Sequence, residues 1–147
     1  MDFKDCFQEI PNIQLRKFIV FGGFSTVCLV YRLNDNENYV AKLVDNRSSN
    51  DIKRYFNNEI SILKSLNHHN IVKYIDNIKT SKYNILLMEY CSGLSLLKCL
   101  QRYIKKYNKP FSEETVQYIM RQIVRGLEYV HKNNIIHRDL KTENRGI

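Results

Sequence analysis

The residues of this 147-residue chain best suited to chemistry are a lysine, a glutamate and a charged octet near the C-terminus. Lys42 ends the short segment Val-Ala-Lys of a predicted strand, and an amine on a rigid strand supplies the positive charge that phosphate oxygens need. Glu59 follows 17 residues later on a predicted helix, where its carboxylate can aim the amine. The octet HRDLKTEN occupies residues 137–144, after an apolar pair. Lys42 or Glu59 alone also fits an exposed ion, and the octet fits a polar surface turn, but the joint placement of Lys42 and Glu59 favours phosphate chemistry.

Strands must position the lysine. Residues 13–31 alternate in β-rich content around Gly22-Gly23, which predicts a hairpin. A third strand is predicted from Tyr39 to Val44, and two more over Ile71 to Asp76 and Asn84 to Tyr90. Between them, capping residues at 48–51 precede an apolar spacing of i, i+4 and i+7, which predicts an amphipathic helix. The predicted order is three strands, one helix and two strands.

Helices must position the octet. The pattern becomes helical at Leu96 and ends at residues 108–110. Ser112 is a predicted N-cap, followed by acidic residues that the helix dipole favours and then by one apolar stripe that leads to His137. The composition changes near Cys91-Ser92-Gly93, and we place the boundary between two lobes there.

Composition narrows the class of protein. A hydrophobic content of 44% and a charged content of 26% are those of a folded globular protein. The formal net charge of +8 is spread along the chain without a run of five cations or interleaved aromatic residues, so solvated lysines are favoured over a nucleic-acid or membrane surface. No signal peptide or membrane span is predicted, and four cysteines without metal-ligand spacing indicate an intracellular, cytoplasmic protein. The pair His68-His69 has no third ligand nearby, which favours a structural role over a metal site.

Five features in the same order resemble those of eukaryotic protein kinases of the serine/threonine type, over about residues 13–144. They are the glycine pair at 22–23, Lys42 with Glu59, the segment HHNIV at 68–72, the segment LLMEYCSG at 86–93 and the octet at 137–144. The resemblance implies an α+β fold: a kinase N-lobe, made of a five-stranded antiparallel sheet and one regulatory helix, followed by the first helices of an incomplete, mainly α C-lobe. Residues 1–147 would be a partial kinase domain, with the N-lobe at about 13–90 and the hinge and the start of the C-lobe at 91–147.

The resemblance also assigns catalytic roles. Asp139 would accept or orient the proton of the substrate hydroxyl, and Lys141 would stabilise charge on the γ-phosphate. Asn144 would hold Mg²⁺. The Asp-Phe-Gly motif, whose aspartate is the principal metal ligand, does not follow Asn144 before the chain ends. We therefore expect a kinase chain truncated before that motif, with the second metal ligand missing.

The same resemblance implies an ATP site along the strands and the hinge. Of the three glycine places of the phosphate loop, only Gly22 is kept, because Val20 and Ser25 fill the other two. Val40 stands where kinases commonly carry alanine, Met88 would limit the rear of the adenine pocket, and Ser95 stands where an acidic residue often binds ribose. The implied ATP-binding residues are Val20, Gly22, Gly23, Ser25, Val27, Val40, Lys42, Glu59, Met88, Glu89, Cys91 and Ser95.

Two functions remain open at this point. The first is an ATP- and Mg²⁺-dependent protein kinase that phosphorylates Ser/Thr hydroxyls of protein substrates. The second is a catalytically inactive kinase-like fragment that binds other kinases, regulatory proteins or, weakly, nucleotide. No nucleic-acid partner is expected.

Overall fold

The computed structural model describes residues 7–143, and in it five strands form one antiparallel sheet with the spatial order β1-β2-β3-β5-β4. The strand and helix order confirms the predicted fold class. The elements are β1 (Ile13–Phe21), β2 (Thr26–Arg32), β3 (Glu37–Asp45), α1 (Asn50–Ser65), β4 (Tyr74–Lys79), β5 (Tyr83–Glu89), α2 (Leu96–Tyr107) and α3 (Glu113–Lys132).

The sheet has two apolar faces because side chains alternate along each strand. One face carries a buried core to which β2, β3 and β5 each contribute, and the N-terminal Phe7 and Ile13 complete it. On the other face, Val44 and Leu86 pack against Phe56 of α1. Lys42 is two residues from Val44 on β3, so its side chain lies on the face that α1 covers.

The described residues divide into two compact units. The first contains residues 7–65 and 73–90, and therefore the sheet and α1. The second contains residues 66–72 and 91–143, with α2 and α3. Both helices of the second unit begin at serine N-caps: Ser95 accepts from the Lys98 N–H, and Ser112, as predicted, accepts from the Thr115 N–H.

The fourth strand begins three residues later than the predicted Ile71 to Asp76. Ile71 is buried, but its N–H donates to the His68 carbonyl at 3.0 Å in a turn, so its apolar character reflects packing rather than strand pairing. Residues 66–72 instead contact α3 within the second unit. There the Asn67 N–H donates to the Tyr129 hydroxyl at 3.1 Å, and the His68 ring stacks on the Tyr129 ring.

Candidate functional site

Lys42 and Glu59 form a two-pronged ion pair within the sheet unit. The Lys42 Nζ lies 2.7 Å from Oε1 and 2.6 Å from Oε2 of Glu59. Burial of Phe56, one helical turn before Glu59, holds α1 against β3 and β5 and so fixes the distance between the two charges. The Lys42 side chain is only 25% exposed and that of Glu59 41% exposed. The amine is therefore aimed by a carboxylate 17 residues away, as its predicted role requires.

The glycine pair makes the turn between β1 and β2. The Gly22 N–H donates to the Ser25 carbonyl at 2.9 Å, which closes the turn. A Cβ added to Gly22 would lie 3.0 Å from that carbonyl oxygen, whereas one added to Gly23 would meet nothing within 4 Å. Val20 and Phe24 are exposed on either side of the turn. Of the two glycines, only Gly22 is required by the space available.

Neighbouring strands bring three more predicted residues close to Lys42. Val27 of β2 is the register partner of Lys42. Val40 precedes Lys42 by two residues on the same face and is paired with Met88 of β5. The structure therefore groups Val27, Val40 and Met88 around the strand position that carries the amine, as side chains lining an apolar pocket would be.

The end of β5 is held by residue Lys73. The Glu89 N–H donates to the Lys73 carbonyl at 3.0 Å, and the Lys73 N–H donates to the Glu89 carboxylate at 3.1 Å. The Glu89 N–H is thus engaged within the sheet, and Cys91 lies two residues beyond the strand, half-buried. Ser95 is buried, and its hydroxyl caps α2. A cap that uses this oxygen makes it a weaker candidate for contact with a ribose.

Asp139 and Lys141 form the second charged pair, in the helical unit. The Lys141 Nζ lies 2.8 Å and 3.1 Å from the two carboxylate oxygens of Asp139. The hydrogen bond from Lys141 lowers the pKa of Asp139 below its usual value, and the same contact raises the pKa of Lys141 above its usual value. Asp139 is ionised at neutral pH even at its usual pKa, as a proton acceptor must be, and the contact with Lys141 extends the ionised range to lower pH. The His137 Nδ1 accepts from the Asp139 N–H at 3.2 Å.

Backbone geometry shapes the loop that carries this pair. Arg138 has a φ of 64°, in the left-handed region that residues other than glycine adopt infrequently. The Leu97 N–H, in the first turn of α2, donates to the Thr142 carbonyl at 2.9 Å and ties the loop to that helix. Sequence reasoning missed this link, because both atoms are main-chain atoms and no side-chain pattern marks them. Asn144 lies outside the described residues.

A cavity of about 510 Å³ lies beside the glycine turn, but on the face of the sheet away from Lys42. Leu43 and Tyr83, from the core on that face, line it together with the ion pair between Asp45 and Arg47. Gly22, Gly23 and Ser25 of the predicted phosphate loop also line it, whereas Lys42 and Glu59 do not. Within residues 7–143, no cluster of three or more histidine, cysteine or acidic residues is arranged to hold a metal ion. None of the helices in that range has the length and apolar content needed to cross a bilayer.

Comparison with known proteins shows the family to which the chain belongs. The family model described as "Protein kinase domain" matches residues 13–145. The chain is 36% identical over 132 residues to the MAP kinase kinase kinase mkh1 of Schizosaccharomyces pombe, covering 84% of this chain and 11% of that protein. It is 39% identical over 140 residues to a probable serine/threonine-protein kinase of Dictyostelium discoideum (90% and 12%). It is 33% identical over 138 residues to a carbon catabolite-derepressing protein kinase of Candida glabrata (92% and 22%). The chain thus spans under a quarter of the length of these relatives.

Proposed function

Because this chain belongs to the protein kinase domain family, we propose that it acts as a serine/threonine protein kinase, transferring the γ-phosphoryl group of ATP to hydroxyls of protein substrates. The family in general uses ATP and a divalent metal. In this proposal, residues 13–90 are the N-lobe, and residues 91–147 are the hinge and the beginning of the C-lobe. The protein acts in the cytoplasm.

Most of the residues proposed to bind nucleotide belong to the sheet unit, and Cys91 and Ser95 belong to the helical unit. Bound ATP supplies the phosphoryl group that is transferred. Lys42 holds phosphate oxygens, and Glu59 fixes the direction of its amine. The turn at Gly22 and Gly23, with Ser25 and Val20 in the remaining glycine places, offers backbone N–H groups to phosphate. Val27, Val40 and Met88 contact the base, and the backbone of Glu89 and Cys91 orients it. Ser95 is retained as a ribose contact only if its hydroxyl gives up the cap of α2.

The chemical step falls to the helical unit. Asp139, which is ionised at neutral pH as an exposed aspartate normally is, accepts or orients the proton of the attacking hydroxyl. The Lys141 ammonium contacts Asp139 before nucleotide binds. During transfer it contacts the phosphoryl group instead and stabilises its negative charge. Asn144 holds Mg²⁺.

The observation that carries the proposal is the ion pair between Lys42 and Glu59. Surface lysines rarely adopt one geometry, because an exposed pair gains little over hydration. Here both nitrogen–oxygen distances are at most 2.7 Å, and three quarters of the lysine side chain is covered. A fixed, partly desolvated amine on a strand is suited to binding an anionic oxygen rather than to solubility.

Phosphotransfer by the purified chain tests the proposal. With Mg²⁺ and radiolabelled ATP, the proposal requires label on a Ser/Thr-rich acceptor protein and none on an acceptor whose only hydroxyl side chain is tyrosine. Because the Asp-Phe-Gly metal ligand is missing from this sequence, we expect a rate below that of a kinase domain that contains it. Asp139→Asn should lower the rate at least about 100-fold, the usual minimum for losing a general base. Asp51→Asn is the matched control, because Asp51 is also an exposed carboxylate in an ion pair. The Asp51 side chain is 75% exposed and pairs with Arg54, and the Asp139 side chain is 70% exposed and pairs with Lys141. Equal rates for the wild type and Asp139→Asn would contradict the role of Asp139.

A second candidate, a kinase-like binding module without turnover, is favoured by the surface of α3. Val116, Met120 and Val124 follow one another at intervals of four residues and are 45%, 48% and 55% exposed. Apolar side chains in such a row mark surfaces that bind other proteins. Stable capture of a kinase or regulatory protein, together with Mg-ATP binding but no phosphotransfer, would select this function. Phosphotransfer abolished by Asp139→Asn would exclude it.

A further inference from the structure

Four exposed cations form one stripe along α2. Lys98, Arg102, Lys105 and Lys106 are all exposed, and they recur at intervals of three and four residues. With about 100° of rotation per residue, they fall within an arc of roughly 100°. At about 1.5 Å of rise per residue the stripe is about 12 Å long. We call these four residues the α2 cation stripe.

No acidic side chain neutralises the stripe locally. The sequence contains neither Asp nor Glu between Tyr90 and Glu113, a segment that also includes Lys109. Within residues 7–143, none of the stripe residues forms an ion pair. On α3, by contrast, Lys132 lies 2.7 Å from Glu128. The positive potential of α2 is therefore directed to solvent.

Helix stability does not explain the stripe. Lys105 and Lys106 occupy the last turn, where the helix dipole favours cations, but Lys98 is in the first turn, where it does not. Lys98 with Arg102, and Arg102 with Lys106, are like-charge pairs at i, i+4, which weaken a helix. A row of cations that the helix itself disfavours is consistent with a function outside the helix.

The opposite face of α2 decides which anionic partner fits. Tyr103, on that face, packs against Tyr107 and Phe111 with ring centroids 4.7 Å and 4.8 Å apart. Tyr107 is 49% exposed and its ring centroid lies 5.0 Å from the Lys106 Nζ, but Leu97, Leu100 and Tyr103 are half-buried. Most of the apolar face of α2 is therefore already covered, unlike the apolar face of a membrane-surface helix. At about 100° of rotation per residue, Tyr103 and Tyr107 fall outside the arc of the four cations, so the stripe has no aromatic side chains interleaved to stack on bases. An extended peptide of about four residues, at about 3.3 Å each, matches the length of the stripe.

We propose that the α2 cation stripe is a docking surface for an extended, Asp/Glu-rich segment of a partner protein. The stripe binds carboxylates by charge-assisted hydrogen bonds, which gives fast, salt-sensitive association. The surface belongs to the helical unit alone. It is independent of phosphotransfer, and the test below does not rely on the proposed kinase activity.

Fluorescence anisotropy of a labelled eight-residue peptide of alternating Asp and Glu, titrated with the whole chain, tests the proposal. We expect binding that is lost for the matching Asn/Gln peptide. Binding should also weaken between about 0.1 M and about 1 M salt, as the Debye length falls from about 10 Å to about 3 Å. The variant Lys98→Glu/Arg102→Glu/Lys105→Glu should weaken binding at least about tenfold. The milder Lys98→Gln/Arg102→Gln/Lys105→Gln variant, which keeps helix-forming residues, should weaken it in the same direction.

A matched control separates the stripe from net charge. Lys17→Glu/Lys79→Glu/Lys82→Glu makes the same change in charge at exposed positions of the sheet unit, and should alter affinity by no more than about twofold. An equal loss in the control variant would overturn the proposal, as would unchanged binding by either stripe variant. Tighter, stripe-dependent binding to phosphatidylserine vesicles or to duplex DNA than to the peptide would also overturn it, in favour of a lipid or nucleic-acid partner.

Discussion

Removing the Glu59 carboxylate tests whether that residue acts on nucleotide through Lys42. If Lys42 contacts phosphate by a charge-assisted hydrogen bond, worth about 1.5–3 kcal/mol, Lys42→Ala should weaken Mg-ATP binding roughly 10- to 150-fold. In Glu59→Ala the amine remains but is no longer held. The rotamer entropy of a free lysine is about 2 kcal/mol. The Lys42 side chain is already three-quarters covered, so we expect about half of that entropy to be regained. The loss is then about 1 kcal/mol, or about fivefold in affinity.

The double variant Lys42→Ala/Glu59→Ala gives the interaction energy between the two residues. With Lys42 absent, Glu59 has nothing to aim, so Glu59→Ala should have no effect in the Lys42→Ala background. The two residues should therefore show an interaction energy of about 1 kcal/mol in a double-mutant cycle. Isothermal titration calorimetry with Mg-ATP measures each corner of the cycle. Glu37→Ala, at an exposed position on the same strand as Lys42, is the control for removing a carboxylate.

Two results would refute this reasoning. Effects that add to within about 0.3 kcal/mol would mean that Glu59 contributes independently of Lys42. Tighter nucleotide binding by Glu59→Ala would mean that the carboxylate repels phosphate more than it orients the amine. Either result would leave the ion pair as a feature of the sheet unit without the role proposed for it.

Three further predictions concern single positions. Phe56→Ala should lower the free energy of unfolding of the sheet unit by about 3–5 kcal/mol in urea denaturation, because the ring is 3% exposed between α1 and the sheet; a loss below about 1 kcal/mol would contradict that packing. Gly22→Ala should destabilise the chain by about 1 kcal/mol more than Gly23→Ala in thermal unfolding, since only its Cβ meets the turn; equal effects would count against the turn described here. The pKa of the Asp139 carboxyl, measured by NMR, should lie below its usual value, and Lys141→Ala should raise it towards that value. An unchanged pKa in Lys141→Ala would refute the contact. Because the folded pKa is lowered, the pair's contribution to stability is present above the unfolded pKa of about 3.9 and is lost as pH falls through the folded value.

The apolar pattern of the sequence was sufficient to predict secondary structure where buried residues recur with the period of a strand or a helix. The alternation on β2 and β3 predicted a strand at Lys42, and the helical spacing of α1 predicted a helix at Glu59. The spacing of the two residues predicted the ion pair because both elements are regular and the link between them is short. In such segments, side-chain type carries the information that determines structure.

Pattern was insufficient where packing between distant segments decides the outcome. Ile71 is apolar and precedes a strand, but it belongs to the helical unit and its N–H donates to the His68 carbonyl in a turn, and β4 begins only at Tyr74. Ser95 is an N-cap because α2 starts after it, a role that competes with the predicted contact to a ribose. The sequence predicts cations spread along the chain and not a stripe on α2, because residues four apart in sequence become neighbours only when the helix forms.

The hydrogen bond from the Leu97 N–H to the Thr142 carbonyl has a consequence for how this protein can vary. A contact between two main-chain atoms is indifferent to side-chain identity, so almost any residue at positions 97 and 142 preserves it. Proline at 97 is the exception: the first turn of a helix tolerates its ring, yet it has no N–H to donate. The loop carrying Asp139 can therefore keep its anchor through extensive sequence drift, and lose it through one substitution that leaves the helix intact.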